Sequence, residues 1–118
     1  MRILLVEDHP FVAETTLQLL RVVYEYEVEH AATGGAAIQV AAGYSPELVL
    51  IDINLPDMDG YEVAKRLREQ PEQAEVILVA VTGLGNRIDE QRAAEAGIDA
   101  HFEKPMDFDM LASIKRRA

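Results

Sequence analysis

Val76-Ile77-Leu78-Val79-Ala80-Val81 and Leu48-Val49-Leu50-Ile51-Asp52-Ile53 decide the fold. Apart from Asp52, each run is apolar on successive residues, so both faces of the strand it forms must be covered. That is the signature of a parallel sheet packed between helices, not of a strand with one wet face. Outward from this pair, Ile3-Leu4-Leu5-Val6 is another short apolar run, ended by Glu7-Asp8, while Glu27–Ala31 and Ala100–Phe102 read as shorter strands. Helical patterns lie between them. Pro10 opens one in which Phe11, Thr15, Leu19 and Val22/Val23 recur at helical spacing. Ala36 to Ala42 is a second, ending at Gly43. Tyr61 to Glu69 is a third, with Val63, Ala64 and Leu67 inward and Glu62, Lys65, Arg66 and Arg68 outward. Asn86 caps a fourth that runs through Ala96 and stops at Gly97, and Asp107 opens a last one carrying Met110, Leu111 and Ile114. Five strand-then-helix repeats predict a doubly wound α/β fold with right-handed crossovers, residues 1–118 forming one domain.

Composition bounds the function. The chain has 118 residues, 49% of them hydrophobic, enough for one core. Lys plus Arg number 11 against 21 Asp plus Glu, a net charge of −10 that argues against nucleic acid or an anionic membrane surface as direct partner. With no cysteine there is no disulfide, thiolate zinc site or Cys nucleophile, and His9, His30 and His101 are too scattered for a histidine metal cage. No apolar run approaches the ~20 residues that span a bilayer. The N-terminus turns acidic within eight residues, where a secretory signal stays apolar, so a cytoplasmic location is expected.

In an open parallel sheet, ligands bind beyond the carboxyl ends of the strands. Those ends carry Glu7 and Asp8, then Asp52, Thr82 and Lys104. Clustered carboxylates repel, so a cation must neutralise them or one must stay protonated. Mg²⁺ suits oxygen ligands in a partly hydrated cleft, and Mg²⁺ with a lysine and a hydroxyl suits a phosphoryl group. Asp52 stands where a purely structural strand would keep an apolar side chain. A carboxylate there caps nearby amides in the plainest reading, which the other four residues disfavour, and a carboxylate can act as a phosphate acceptor and form an aspartyl-phosphate.

VEDHP at 6–10, DINLPDMDG at 52–60, VTG at 81–83 and EKP at 103–105 resemble the receiver domain of two-component response regulators, in order and at family spacing over essentially the whole chain. The resemblance implies a flavodoxin-like, three-layer fold with strand order 2-1-3-4-5. It implies that Asp52 takes a phosphoryl group from a phosphohistidine of a sensor histidine kinase or phosphotransfer domain. Glu7, Asp8, Asp52 and the backbone carbonyl of Asn54 would hold Mg²⁺, or Mn²⁺ in its place. Lys104 would pair with the phosphoryl oxygens, through a Lys104–Pro105 bond that is cis. Thr82 would turn to the phosphoryl group, and the residue at 101, His101 here against the usual Tyr or Phe, would rotate inward. A downstream protein would read the face formed by residues 86–117, and phosphorylation-dependent homodimerisation through that face is left open. The resemblance implies a signalling domain that gains and loses its own phosphoryl group, with no turnover of a separate substrate. Free-standing regulator and receiver cut from a hybrid kinase or longer regulator both fit.

The remaining features have plainer readings. His9 is expected to be a solvent-facing loop residue, His30 structural, Met58 loop packing, and Lys115-Arg116-Arg117 a complement to the end of the last helix. Leu84, two residues after Thr82, cannot orient an attacking water, so a long-lived phosphoryl state is expected. Other families fit poorly. A phosphatase of the haloacid dehalogenase type needs a second Asp at position 54, which is Asn54. As a calcium loop, DINLPDMDG has Asp57 where Gly is needed and Val63 where Glu is needed. No GxxxxGK is present, and Gly83-Leu84-Gly85 lacks a third glycine. Ser45 and Ser113 sit in no nucleophile elbow. The one serious rival is a phosphorylation-independent interaction module on the same fold.

Overall fold

The computed structural model describes residues 1–83 and 85–114. The strands are β1 (Arg2–Val6), β2 (Glu27–Ala31), β3 (Leu48–Asp52), β4 (Ile77–Thr82) and β5 (Ala100–Glu103), all parallel, in the order β2-β1-β3-β4-β5. Helices α1 (Pro10–Gln18), α2 (Gly34–Tyr44), α3 (Gly60–Glu69) and α4 (Glu90–Ala96) follow the first four strands, and a 3-10 segment, Phe108–Ser113, follows the fifth.

Alternate side chains of each strand point to opposite faces, and two cores result. Leu4, Val6, Val49, Ile51, Leu78 and Ala80 pack under α2, α3 and α4, while Ile3, Leu5, Leu48, Leu50, Val79 and Val81 pack with Leu20 and Leu111 on the side of α1 and the 3-10 segment. Every residue of β3 is buried. The five-strand doubly wound α/β architecture inferred from the apolar runs is therefore the architecture observed.

Local differences from the sequence reading have physical causes. Helix α1 turns Ala13 inward, and its continuation widens to a π turn at Leu19–Val23 with Leu20 fully buried. Of the expected stripe of Phe11, Thr15, Leu19 and Val22/Val23, Val22 and Val23 in the π turn face solvent at 75% and 65% exposure, and Phe11 at the start of α1 does so at 73%. Helix α2 begins earlier than expected, because the Thr33 hydroxyl accepts from Ala36 N at 3.1 Å, and it runs through Gly43 to end at Ser45, whose φ is 53°. Helix α4 is capped by Asp89, not Asn86, since the Asp89 carboxylate accepts from Arg92 N at 3.0 Å. Gly97 ends it in the left-handed region.

Arg68 does not point outward. Its guanidinium donates to Asp99 at 2.7 Å and to the carbonyls of Gly97 at 2.8 Å and Val76 at 2.5 Å. Carbonyls left over at the ends of α4 and of the connector before β4 thereby find a donor. The last helix is opened by Asp107 as expected, but as a 3-10 turn with Leu111 buried and Met110 46% exposed. Leu84 and Lys115-Arg116-Arg117 lie outside the described residues.

Candidate phosphoacceptor and metal site

Register builds the site. Val6 of β1 lies opposite Ile51 of β3, so Glu7 emerges from the sheet edge beside Asp52, and Asp52 lies opposite Val81 of β4. Thr82 is opposite Glu103 of β5, and Lys104 N donates to Thr82 O at 2.8 Å, which brings Lys104 to the same edge. The Lys104–Pro105 peptide is cis.

The side chains converge accordingly. Carboxylate oxygens of Glu7, Asp8 and Asp52 lie within 4.8 Å of one another. Glu7 and Asp52 are buried, whereas Asp8 is exposed. Lys104 Nζ donates to Glu7 Oε1 at 2.7 Å and to Asp52 Oδ2 at 3.2 Å. The other Asp52 oxygen accepts from Asn54 N at 2.9 Å. Glu7 Oε2 accepts from His9 N at 3.2 Å, and the His30 ring meets the Glu7 carbonyl at 2.7 Å, so both the side chain and the backbone of Glu7 are held.

Burial pushes the Glu7 carboxyl above its ordinary value; Lys104 and the His9 amide oppose that, and neighbouring Asp52 adds to it. Burial acts on Lys104 in the opposite sense, yet hydrogen bonds and charge from Glu7 and Asp52 outweigh it and hold the ammonium charged above its usual range. The two directions are compatible: burial of Glu7 is only partly offset by one lysine, while that lysine gains from two carboxylates, Glu7 and Asp52. A hard divalent cation with oxygen ligands fits that donor set.

The loop after β3 is closed on itself. Gly60 N donates to Ile53 O at 2.8 Å and Asn54 bridges Asp59. A Cβ on Gly60 would stand 2.8 Å from Ile53 Cα and 2.9 Å from Asp52 O, so only glycine permits this approach. Asp57 spans to α2, accepting from Gly34 N and Gly35 N at 2.9 Å each, and those amides draw its carboxyl below the ordinary aspartate range. The neighbouring Met58 packs on Gly34. Asp59 caps α3 through Glu62 N at 2.9 Å and bonds Arg92 at 2.7 Å. Met58 packs in the loop as expected; the roles of Asp57 and Asp59 were not read from the sequence, although Asp59 three residues before Glu62 is the spacing of a capping box.

Thr82 stands at the edge, where its hydroxyl donates to Asn86 O at 3.4 Å. It lines a cavity of about 640 Å³ with Arg87, Glu90, His101 and Glu103. The His101 ring is outside, 3.9 Å from Glu90. His9 is exposed, as expected, and also caps α1 by accepting from Val12 N at 3.4 Å.

Comparison with known proteins agrees with this geometry. The profile of the response regulator receiver domain matches residues 3–115. The chain is 33% identical over 107 residues to the polar-differentiation response regulator DivK of Brucella ovis, covering 88% of this chain and 84% of that protein. It is 30% identical over 115 residues to the DNA-binding dual master transcriptional regulator RpaA of Synechocystis, covering 97% of this chain but only 47%, about half, of that protein's length. The receiver domain of a sensor histidine kinase from Pseudomonas aeruginosa PAO1, described with a magnesium ion coordinated in its active-site cleft, superposes with a TM-score of 0.80 at 29% identity over 95% of this chain and 91% of that one. An α/β sheet in the order 2-1-3-4-5, an acidic cluster at its carboxyl edge and these matches together place the chain in the response regulator receiver domain family of two-component signal transduction.

Proposed function

We propose that this receiver domain accepts a phosphoryl group on Asp52, from a phosphohistidine of a histidine kinase or phosphotransfer domain, in a reaction that depends on a divalent cation. The observation that carries this reading is the convergence of Glu7, Asp8 and Asp52 within 4.8 Å with Lys104 bridging two of them. Glu7, Asp8, Asp52 and the Asn54 carbonyl would hold Mg²⁺, which when bound screens the negative charge that otherwise keeps a phosphoryl donor from a carboxylate.

The chain's own residues do the rest. An Asp52 carboxylate oxygen attacks phosphorus, the P–N bond breaks, and its electron pair leaves with the histidine nitrogen, which takes up a proton. Asn54 N fixes the orientation of Asp52 through the 2.9 Å bond to Oδ1. Lys104, charged and already on Asp52, moves onto the phosphoryl oxygens, whose added charge of about −1.5 to −2 strengthens its pairing. Thr82 exchanges the long bond to Asn86 O for a phosphoryl oxygen, and His101 swings into the cavity that Thr82 and His101 share. The face read downstream is the part of 86–117 that surrounds this cavity, with homodimerisation as an alternative use of it. No described helix is long and apolar enough to cross a membrane, and we assign the domain to the cytoplasm, where histidine kinases present their phosphohistidine.

Intact-mass spectrometry after incubation with acetyl phosphate tests the reading. The expected result is a single phosphoryl adduct that forms with Mg²⁺ and not with EDTA. A folded protein that takes up no phosphoryl group would contradict it and favour the phosphorylation-independent module.

A further inference from the structure

Helix α4 itself offers little apolar surface, although Ile88 before it and Ile98 after it pack into the core. It is seven residues long, and only Ala93 and Ala96 are buried. At its start it is instead bound to α3 and to the loop after β3 by a closed polar circuit. Arg92 Nη2 bonds Asp59 Oδ2 at 2.7 Å, and the Arg92 guanidinium lies 4.3 Å over the Tyr61 ring. The Tyr61 hydroxyl accepts from Asp89 N at 2.7 Å, and the Asp89 carboxylate accepts from Arg92 N at 3.0 Å. Asp59 has a second duty, capping α3, and its backbone bridges Asn54, the residue whose carbonyl is proposed to face the metal. The Asn54–Asp59 loop is thus joined to Arg92 directly, by a route that includes neither Thr82 nor His101.

We infer that Arg92 is a positioning residue which, through Asp59 and Tyr61, makes the orientation of α4 follow the state of the phosphoacceptor loop. The role rests on the phosphoacceptor reading above. It is a role in orientation and not in stability: Arg92 and Asp59 side chains are 50% and 41% exposed, and an exposed pair of this kind adds little to global stability. A planar guanidinium can grip the carboxylate and stack on the ring together, which an ammonium cannot do. The circuit also joins two helix starts. It therefore constrains the start of α4, while the far end is held by Arg68 on the Gly97 carbonyl and by the buried Ile98.

The test is amide NMR of Glu90–Ala96 in wild type, Arg92→Ala, Arg92→Lys and Tyr61→Phe, each before and after Mg²⁺ and then acetyl phosphate, with intact mass and thermal midpoint on the same samples. In wild type the amides of α4 shift on loading. In Arg92→Ala the adduct and the Mg²⁺-induced shifts at Asn54 are unchanged within about twofold, the midpoint is unchanged, and the α4 shifts fall to less than half. Arg92→Lys, which keeps the charge but not the stacking, restores part of them, and Tyr61→Phe loses part of them. Full α4 shifts in Arg92→Ala, or a loss that comes with a lower midpoint, would overturn the inference. If wild type forms no adduct, the phosphoacceptor reading fails, and the coupling is decided on the Mg²⁺ step alone by the same criterion.

Discussion

Helices α3 and α4 share one face of the sheet and are held there in opposite ways. Helix α3 buries Tyr61, Val63, Ala64 and Leu67, and its entry loop is shut by the Gly60 contact, the Asn54–Asp59 bridge and the Asp57 cap on α2. Helix α4 buries two alanines and is held by polar contacts, with Asp89, Arg92 and Tyr61 at its start and Arg68 on the Gly97 carbonyl at its end. A fully buried Val or Leu side chain contributes about 1.5–3 kcal/mol, so Val63 and Leu67 fix α3 far more firmly than Ala93 and Ala96 fix α4. The edge that carries Glu7, Asp8 and Asp52 is thus mounted on the firmly packed part of the molecule. The Thr82 and His101 side, next to α4, is the part whose contacts are long and polar, Thr82 on Asn86 O at 3.4 Å and His101 at 3.9 Å from Glu90. That division suits a domain whose chemistry must stay in place while one surface changes.

The contrast is broken most severely at its firm end. Leu67 is fully buried, and Leu67→Ala should cost about 2–5 kcal/mol by transfer and cavity together, read as a lower midpoint in urea unfolding. Gly60→Ala comes next. Its methyl must displace backbone at Ile53 and Asp52, and about 1–3 kcal/mol of overpacking is expected. Because that backbone carries Asp52 and leads to Asn54, Mg²⁺ titration by NMR should show weaker binding in the variant, which a change of equal size remote from the loop would not produce.

These two positions also mark what could be read from sequence. Val63, Ala64 and Leu67 were legible because helical periodicity shows directly which residues face a core. The strands were legible because a run such as VILVAV has few other uses, and the carboxylate–lysine cluster was legible because Glu7, Asp8, Asp52 and Lys104 fall at strand ends that a parallel sheet brings together. What could not be read depended on partners distant in sequence or on a change of helical phase. Arg68 on a helix reads as an outward charge until the carbonyls of Gly97 and Val76 are found beside it. Asn86 and Asp89 are both good capping residues, and only the geometry chooses between them. The π turn after α1 moved Val22 and Val23 to the outside with no residue that announces it. Asp57 and Arg92 act on Gly34, Gly35 and Asp59, each more than 20 positions away.

Smaller effects sharpen the comparison. The Asp57 carboxyl lies below its ordinary range when folded because Gly34 N and Gly35 N hold it ionised. A carboxyl whose folded value is lowered adds stability that is present above its unfolded value and is lost as the pH falls through the folded one. The difference in thermal midpoint between wild type and Asp57→Asn should therefore be greatest near neutral pH and shrink as the buffer is taken below the ordinary aspartate range. A difference that grew on acidification would contradict the cap. Least of all, Phe11→Ser should change stability by no more than about 0.5 kcal/mol, since the ring is 73% exposed and the buried side of α1 is formed by other residues.

The central claim is that Asp52 is the residue that takes the phosphoryl group, and the most direct measurement locates the modification. Protein incubated with acetyl phosphate and Mg²⁺ is reduced with borohydride, which converts an aspartyl-phosphate to homoserine, then digested and sequenced by tandem mass spectrometry. The account predicts homoserine at position 52, and its disappearance together with the mass adduct in Asp52→Asn. Homoserine at another carboxylate, or an adduct that persists in Asp52→Asn at wild-type level, would contradict it.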